Sequence, residues 1–115
     1  MKEEFKKYKE EYYSIRKIIC PALNNQEVYF NNHGFNHLIR KMGVKRFSWD
    51  SIRRFKIFKY AKIIIESSTV QIEYRNNKYE FWALTHVIYK KKIKVILRRI
   101  NKGKIHFYSI FEMKN

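Results

Sequence analysis

The sequence is short of the residues that build several common classes of site. Its single cysteine, Cys20, can form neither an internal disulfide nor a cysteine-based zinc site, as is typical of a reducing cytosol. The three glycines, Gly34, Gly43 and Gly103, lie too far apart for a glycine-rich phosphate loop. No apolar run approaches the ~20 residues of a membrane span, and the charged opening segment is not typical of a secretory signal. We therefore expect a cytoplasmic protein with no membrane attachment.

Acidic residues are also scarce, and their scarcity leaves a large positive charge. The 115 residues include 26 lysines and arginines against 10 aspartates and glutamates, a formal net charge of +16. Nucleic acid, an anionic membrane surface and an acidic protein are the partners that such a charge attracts. The acids beyond the first predicted helix are isolated from one another in sequence, so no carboxylate cluster predicts a metal site. We expect no metal and no cofactor.

Apolar residues are abundant enough for a packed core, since 45% of the chain is hydrophobic and 17% is aromatic. An apolar stripe with a period of 3.6 residues predicts a helix over 3–20, ended by Pro21. A β-prone run predicts an early strand over about 27–31. Two further helices are predicted, over 34–42 and about 49–65. In the second, one face can be lined by the apolar residues Ile52, Phe55, Phe58, Ala61 and Ile65, and another face by the lysines at 56, 59 and 62. The predicted boundary residues of these two helices are Asn31 or Asn32 as a cap and Gly43 as an end for the first, and Ser48 as a cap for the second.

The last part of the chain changes to the alternating pattern of strands. Strands are predicted at 70–74, 79–90, 93–100 and 104–112, with short turns between them. Strands in series with short turns indicate an antiparallel meander. The predicted fold class is α+β, with N-terminal helices packed on a C-terminal antiparallel β-sheet. We expect one domain over 1–115, with a helical part at about 3–66 and a sheet part at about 70–112.

The positive charge is concentrated in two stretches. Residues 40–62 hold nine bases against the single acid Asp50, and residues 90–104 hold eight bases and no acid. Lysine and arginine bind phosphates, and the aromatic residues interleaved with them in the second half of the chain could stack on bases. The candidate nucleic-acid contacts are Arg40, Lys45, Arg53, Arg54, Lys91, Lys92 and Arg99.

Two histidines near the second predicted helix are candidates for chemistry. His33 and His37 are four residues apart and would share a face of one helix, where they could bind a metal, although no third ligand is near in sequence. Another interpretation is one capping and one partly buried histidine. A third is that His37 acts as a general acid or base, because imidazole titrates near neutral pH.

Two other histidines fall inside predicted strands. For His86 and His106, an ordinary sheet histidine is the favoured interpretation. Strict alternation would place His106 on the same face as Tyr108 and Ile110.

Other polar residues interrupt the predicted strands. Arg98 and Arg99 are adjacent in an apolar strand, so one of them must face the apolar side or a cleft, as an ion pair or a phosphate ligand. Ser109 is either a tolerated small residue or a hydroxyl donor beside a phosphate.

The order of several short motifs resembles the barnase–EndoU–colicin–RelE group of small nucleases, especially its phage and mobile-element toxin branches. The resemblance covers about residues 27–112. Its motifs are Asn-x-x-Gly-x-x-His-Leu at 31–38, Arg46, the Arg53-Arg54 pair, Tyr-x-Phe-Trp at 79–82, Ile-Lys-Val-Ile-Leu-Arg at 93–98 and Gly-Lys-Ile-His-Phe-x-Ser at 103–109.

The resemblance implies an α+β, metal-independent ribonuclease used as a toxin. His37 matches the group's helix histidine, Arg98 its strand arginine, Ser109 the hydroxyl of its last strand and Arg46 a basic residue after the short helix. RNA would be cleaved by attack of its 2′-hydroxyl on the adjacent phosphate, with His37 as acid or base, Arg98 and Arg46 as a phosphate clamp and Ser109 as a donor. The partner implied by the charge is an acidic antitoxin or immunity protein.

Two alternatives remain open at this point. The chain could be a basic RNA- or DNA-binding module without catalysis, because the same charge and aromatic residues would serve it. It could also be an interaction protein whose basic face docks an acidic partner.

Overall fold

The computed structural model describes residues 2–41, 44–45 and 49–113, with side chains described over 6–38 and 53–113. A short 3₁₀ turn at Pro21–Leu23 separates the first two strands. The elements in chain order are α1 (Lys2–Ile15), β1 (Lys17–Cys20), β2 (Gln26–Tyr29), α2 (Asn32–Ile39), β3 (Arg40–Lys41), β4 (Val44–Lys45), α3 (Trp49–Glu66), β5 (Gln71–Asn76), β6 (Glu80–Ile88), β7 (Lys91–Arg99) and β8 (Ile105–Glu112).

Six strands form one sheet in the order β1-β2-β8-β7-β6-β5. Strands β5 to β8 are the predicted antiparallel meander, because short turns return the chain beside the strand it has just left. Strand β2 adds to β8 in the parallel direction, at Val28↔Ile105 and Tyr29↔His106, so the sheet is mixed. The α+β class, with helices mainly N-terminal and strands C-terminal, is confirmed.

The prediction of a helix over 3–20 is wrong in its last five residues. Helix α1 ends at Ile15, and Arg16 takes a left-handed conformation with φ of 64° that turns the chain. Lys17–Cys20 then forms β1, in which Ile18 and Cys20 are buried and the intervening Ile19 is 56% exposed. In this segment every second residue is buried, as in a strand, and the helical period of 3.6 residues is not followed. Pairing with β2 provides partners for the backbone N–H and C=O groups of the segment.

Helix α3 covers one face of the sheet and supplies much of the core. Phe55, Phe58, Ala61 and Ile65 are buried as the apolar stripe predicted, and the lysines at 56, 59 and 62 are exposed. The predicted cap Ser48 and the side chain of Ile52 lie outside the described residues. The helix predicted over 34–42 is wrong in its last residues, because α2 ends at Ile39 and Arg40–Lys41 pairs with Val44–Lys45 as a strand, so the helix ends before the predicted position at Gly43. Tyr12 of α1 is fully buried, with ring contacts to Phe30, Phe35, Phe58 and Phe107.

The two faces of the sheet differ in burial. Along β7, Ile93, Val95 and Leu97 are fully buried under the helices, whereas Lys94, Ile96 and Arg98 on the opposite face are partly exposed. We call this second face the open face. No helix in the described ranges is long and apolar enough to cross a membrane.

A β-bulge corrects the placement of His106. The register between β7 and β8 shifts between Ile96 and Leu97, so Tyr108 is the extra residue. Ile110 pairs with Val95 on the helix-covered side, whereas His106 pairs with Arg98 on the open face. His106 and Ile110 therefore lie on opposite faces, and the expectation from strict alternation is wrong because the bulge reverses it.

Candidate functional site

Helix α2 lies beside β8, beyond the point where β2 stops pairing with that strand. The side-chain oxygen of Asn31 accepts a 3.1 Å hydrogen bond from the backbone N–H of His33, so Asn31 caps the helix as predicted. Gly34 lets the helix approach closely, because a Cβ at this position would collide with the carbonyl oxygen of Phe107 and the hydroxyl of Tyr12. The close approach brings the side chains of α2 onto those of β8.

Two histidines of α2 stack on two side chains of β8. The His33 ring lies 5.1 Å from the His106 ring, with 29° between the planes, and the His37 ring lies 4.2 Å from the Tyr108 ring, with 24° between the planes. His33 is exposed and His37 is half-buried. Because the two histidines are one helical turn apart, both imidazoles reach the same small area of surface.

Arg98 lies at the centre of this area. Its Nε–H donates a 3.1 Å hydrogen bond to Nε2 of His106. Its guanidinium carbon lies 4.2 Å from the centroid of the Tyr108 ring and 5.3 Å from that of Tyr79. We call His33, His37, Arg98, His106 and Tyr108 the histidine–arginine cluster.

The environment of His106 keeps its imidazole neutral. Burial, followed by the charges of Arg98 and His33, lowers the pKa of His106 to about 4, and a hydrogen bond to the backbone of Lys104 opposes this shift. His106 is only 3% exposed. At neutral pH its Nε2 lone pair is therefore available to accept the hydrogen bond from Arg98. This arrangement orients Arg98 and leaves the other two histidines as the groups that could transfer protons.

The structure brings His37 and Arg98 together, but Ser109 is engaged elsewhere. Ser109 is 4% exposed, and its Oγ accepts a 2.9 Å hydrogen bond from Nη1 of Arg54. Arg54, expected as a nucleic-acid contact, is half-buried in this bond. The two residues join α3 to β8 behind the cluster.

The remaining predicted contacts are divided between surface and structural positions. Arg99 makes a bidentate pair with Glu80, at 2.8 Å and 2.9 Å, and lies over the Trp82 ring. Lys91 is 4.0 Å from Glu112, and Lys92 and Arg53 are exposed. For Arg40 and Lys45 only the backbone is described, in the β3–β4 pair, and Arg46 lies outside the described residues.

A groove of about 360 Å³ runs along the open face next to the cluster. Its lining includes Arg75, Phe81, Lys94 and Phe111. Phe81 connects the two areas, because it pairs with Arg98 in the sheet and its ring lies 5.9 Å from the Tyr108 ring. A polyanion bound at Arg98 could therefore continue over a surface of aromatic and cationic side chains.

A metal site needs several ligating side chains close together. Among the described residues, no group of three or more His, Cys, Asp or Glu side chains is arranged to hold a metal ion. The pairing of His33 and His37 on one helix, which could have indicated a metal site, instead presents two rings to β8.

Sequence reasoning missed two of the five residues in the cluster. The i,i+4 spacing of His33 and His37 was a signal for a shared face. His106 and Tyr108 carried no comparable signal, because their relation to Arg98 depends on the register and bulge between β7 and β8.

Comparison of the chain with known protein families, curated proteins and solved structures finds no match. The function is therefore inferred from the geometry of the site, the charge of the chain and its short motifs.

Proposed function

We propose that this protein is a metal-independent endoribonuclease whose active site is the histidine–arginine cluster. The observation that carries the proposal is the combination of two imidazoles on α2 with an arginine held in place by a neutral histidine. RNA cleavage through the 2′-hydroxyl needs a base, an acid and a cation, and the cluster contains one candidate for each role. The motif resemblance to small toxin nucleases supports the same chemistry.

In this mechanism the substrate supplies its own nucleophile. One of His33 and His37 takes the proton of the 2′-hydroxyl while its oxygen attacks the adjacent phosphorus. The bond from phosphorus to the 5′-oxygen breaks, and the other histidine, in its protonated form, donates a proton to that oxygen. The products are a 2′,3′-cyclic phosphate and a 5′-hydroxyl, so no external nucleophile is consumed.

Arg98 stabilises the negative charge that develops on the phosphate. Its Nε is occupied by His106, and among the described residues no hydrogen bond engages its two Nη groups. These groups are therefore available for a bidentate contact with phosphate oxygens. Because the guanidinium is already packed on Tyr108, little rotamer freedom is lost when the phosphate binds.

The proposal also includes the location of the enzyme and the partner that inhibits it. A net charge of +16 favours RNA as substrate and an acidic antitoxin or immunity protein as partner. We propose that the protein acts in the cytoplasm as a toxin. Arg46 is a second phosphate contact in this proposal. Ser109 supports the site through β8 in this proposal.

The proposal is tested with end-labelled RNA, purified full-length protein and EDTA. We expect cleavage to continue in EDTA and to leave cyclic phosphate ends. His33→Ala and His37→Ala should each lower the cleavage rate, whereas the matched control His86→Ala should leave that rate unchanged. His86 pairs with Ile93 near the far end of β7, remote from Arg98. Activity that needs added Mg²⁺ or Mn²⁺, or equal losses in all three variants, would contradict the assignment.

A non-catalytic RNA-binding module is the second candidate. The observation in its favour is that Arg98 lies over both Tyr79 and Tyr108, a layered surface that binds phosphates and bases without chemistry. Under this proposal the wild-type protein binds RNA but leaves it intact in the same assay.

A further inference from the structure

Strand β5 is an edge of the sheet and lacks the lysine, the proline and the bulge that commonly protect such strands, although it carries the two charged residues Glu73 and Arg75. All six of its residues are exposed, with Ile72 at 40% and Tyr74 at 50% exposure. Natural edge strands are commonly protected by charged side chains, especially lysine, by proline or by a bulge. The sequence of β5, Gln-Ile-Glu-Tyr-Arg-Asn, contains neither lysine nor proline, and its register with β6 runs unbroken from Gln71 to Asn76. The outer edge of β5 can therefore accept another strand.

The charges on β5 are complementary to each other. Glu73 and Arg75 are two residues apart, so both side chains lie on the open face of the strand. Within the described part of the chain neither forms an ion pair, whereas Glu27, Glu80 and Glu112 each do. An acid and a base two residues apart on an exposed edge form a self-complementary pattern for an antiparallel twofold contact.

We propose that β5 pairs in the antiparallel direction with β5 of a second copy of this chain, about a twofold axis at Tyr74. With Tyr74 opposite the partner's Tyr74, each Glu73 lies opposite the partner's Arg75. Opposite charges directly across an antiparallel pair are stabilising, and this register contains two such pairs. On the other face the two Tyr74 rings meet beside Trp82, which already lies 5.4 Å from the Tyr74 ring in each chain.

Charge also selects this register over its neighbours. An axis at Glu73 would place Glu73 opposite the partner's Glu73, and an axis at Arg75 would place two arginines opposite each other. Like charges directly opposite are destabilising. Registers shifted by a single residue put side chains of opposite faces across from each other, which the pleat of an antiparallel pair does not permit.

The dimer would join the two sheets into one continuous sheet. A twofold axis perpendicular to the sheet keeps both open faces on the same side, so the two grooves, each lined by Glu73 and Arg75, become neighbours. The inference rests on the edge strand alone and stands whether or not the protein cleaves RNA.

The first test is a charge exchange followed by sedimentation equilibrium at physiological salt, on full-length protein freed of nucleic acid. We expect the mass of the wild type to rise with concentration from 14.3 kDa toward twice that value. Glu73→Arg and Arg75→Glu should each weaken dimerisation by about tenfold or more, and the double variant should restore it, because both pairs are re-formed in reverse. The double variant keeps the wild-type net charge, and Glu10→Arg on the exposed face of α1 controls for added charge. A monomer at every concentration, or a dimer unaffected by the single variants, would overturn the proposal.

The second test places a cysteine at the axis. Opposite residues in an antiparallel pair have Cα atoms about 4.5–5.5 Å apart, within reach of a disulfide. Tyr74→Cys should therefore form a covalent dimer under mild oxidation. Tyr89→Cys is the control, because Tyr89 is also an exposed tyrosine, at 82%, but lies on the β6–β7 turn. Equal cross-linking of both variants would mean random collision and would contradict a specific β5 contact.

Discussion

The Nε–H of Arg98 donates a 3.1 Å hydrogen bond to Nε2 of His106, on the neighbouring strand. A protonated His106 would be repelled by the Arg98 guanidinium at this distance. The environment of His106 avoids this repulsion, because it keeps the imidazole neutral. Burial is the largest cause of its lowered pKa, and Arg98 itself is the second. In the proposed mechanism His106 is therefore a positioning residue, and Arg98 is the cation that contacts the substrate phosphate.

The first prediction concerns this pair. His106→Leu, which has no acceptor for the Arg98 Nε–H, should lower the single-turnover cleavage rate by about tenfold, because Arg98 loses its fixed orientation, but should lower it by less than about twofold in an Arg98→Ala background. A double-mutant cycle measures the coupling. Equal losses in both backgrounds would indicate that His106 acts only through general stability.

The second prediction concerns stability against pH. The pKa of His106 is about 4 in the folded protein, below the ordinary value of 6.5, so the unfolded chain binds more protons between these values. Stability should therefore rise with pH from about 4 to 6.5, with a contribution on the order of 3 kcal/mol from this residue. Urea unfolding of wild type and His106→Gln at several pH values checks this. The wild type should show the steeper rise, and parallel curves would refute the assignment.

The third prediction separates chemistry from binding. His37→Ala should lower the cleavage rate by about 10²- to 10⁴-fold with little change in RNA affinity, because a proton-transfer group is lost and the cationic surface is kept. Arg98→Ala should lower both quantities, because it removes a charge-assisted phosphate contact. Single-turnover rates and equilibrium binding are measured with a melting curve for each variant. A lower melting temperature with an unchanged rate in the folded fraction would remove His37 from the active site.

The fourth prediction concerns the packing of α2 on β8. Gly34→Ala places a methyl group against the Phe107 carbonyl and the Tyr12 hydroxyl, so the helix must move away. We expect a loss of about 1–3 kcal/mol in unfolding free energy, the usual cost of overpacking, together with reduced activity because His33 and His37 move with the helix. Asn36→Ala, at an exposed position of α2, is the control and should leave the unfolding free energy and the cleavage activity nearly unchanged.

The fifth prediction concerns the salt dependence of RNA binding. With several phosphate contacts, a fourfold increase in salt should weaken binding by about 100-fold or more. Lys94→Ala, in the groove on the open face, should reduce the slope of log affinity against log salt by about one. Lys62→Ala, on the exposed side of α3, should leave that slope unchanged. An affinity that stays flat with salt would count against RNA as the ligand.

Much of the local structure followed from the sequence because it depends on local periodicity. The α3 stripe of Phe55, Phe58, Ala61 and Ile65 was predicted because buried positions recur every 3.6 residues in a helix. The β5–β8 meander was predicted because alternation and turn residues are local signals. The i,i+4 spacing of His33 and His37 likewise indicated a shared face.

The tertiary structure decided the features that depend on contacts between distant segments. Lys17–Cys20 became a strand because β2 was available to pair with it. His106 came to face Arg98 because the bulge at Tyr108 shifts the register between β7 and β8, and single-strand periodicity carries no information on that shift. Ser109 was withdrawn from the open site because Arg54, 55 positions away, lies within hydrogen-bond distance in the folded chain. The sequence by itself determined the charge, the elements with a local periodic signal and the candidate residue types, whereas strand register and helix packing determined which of those residues meet.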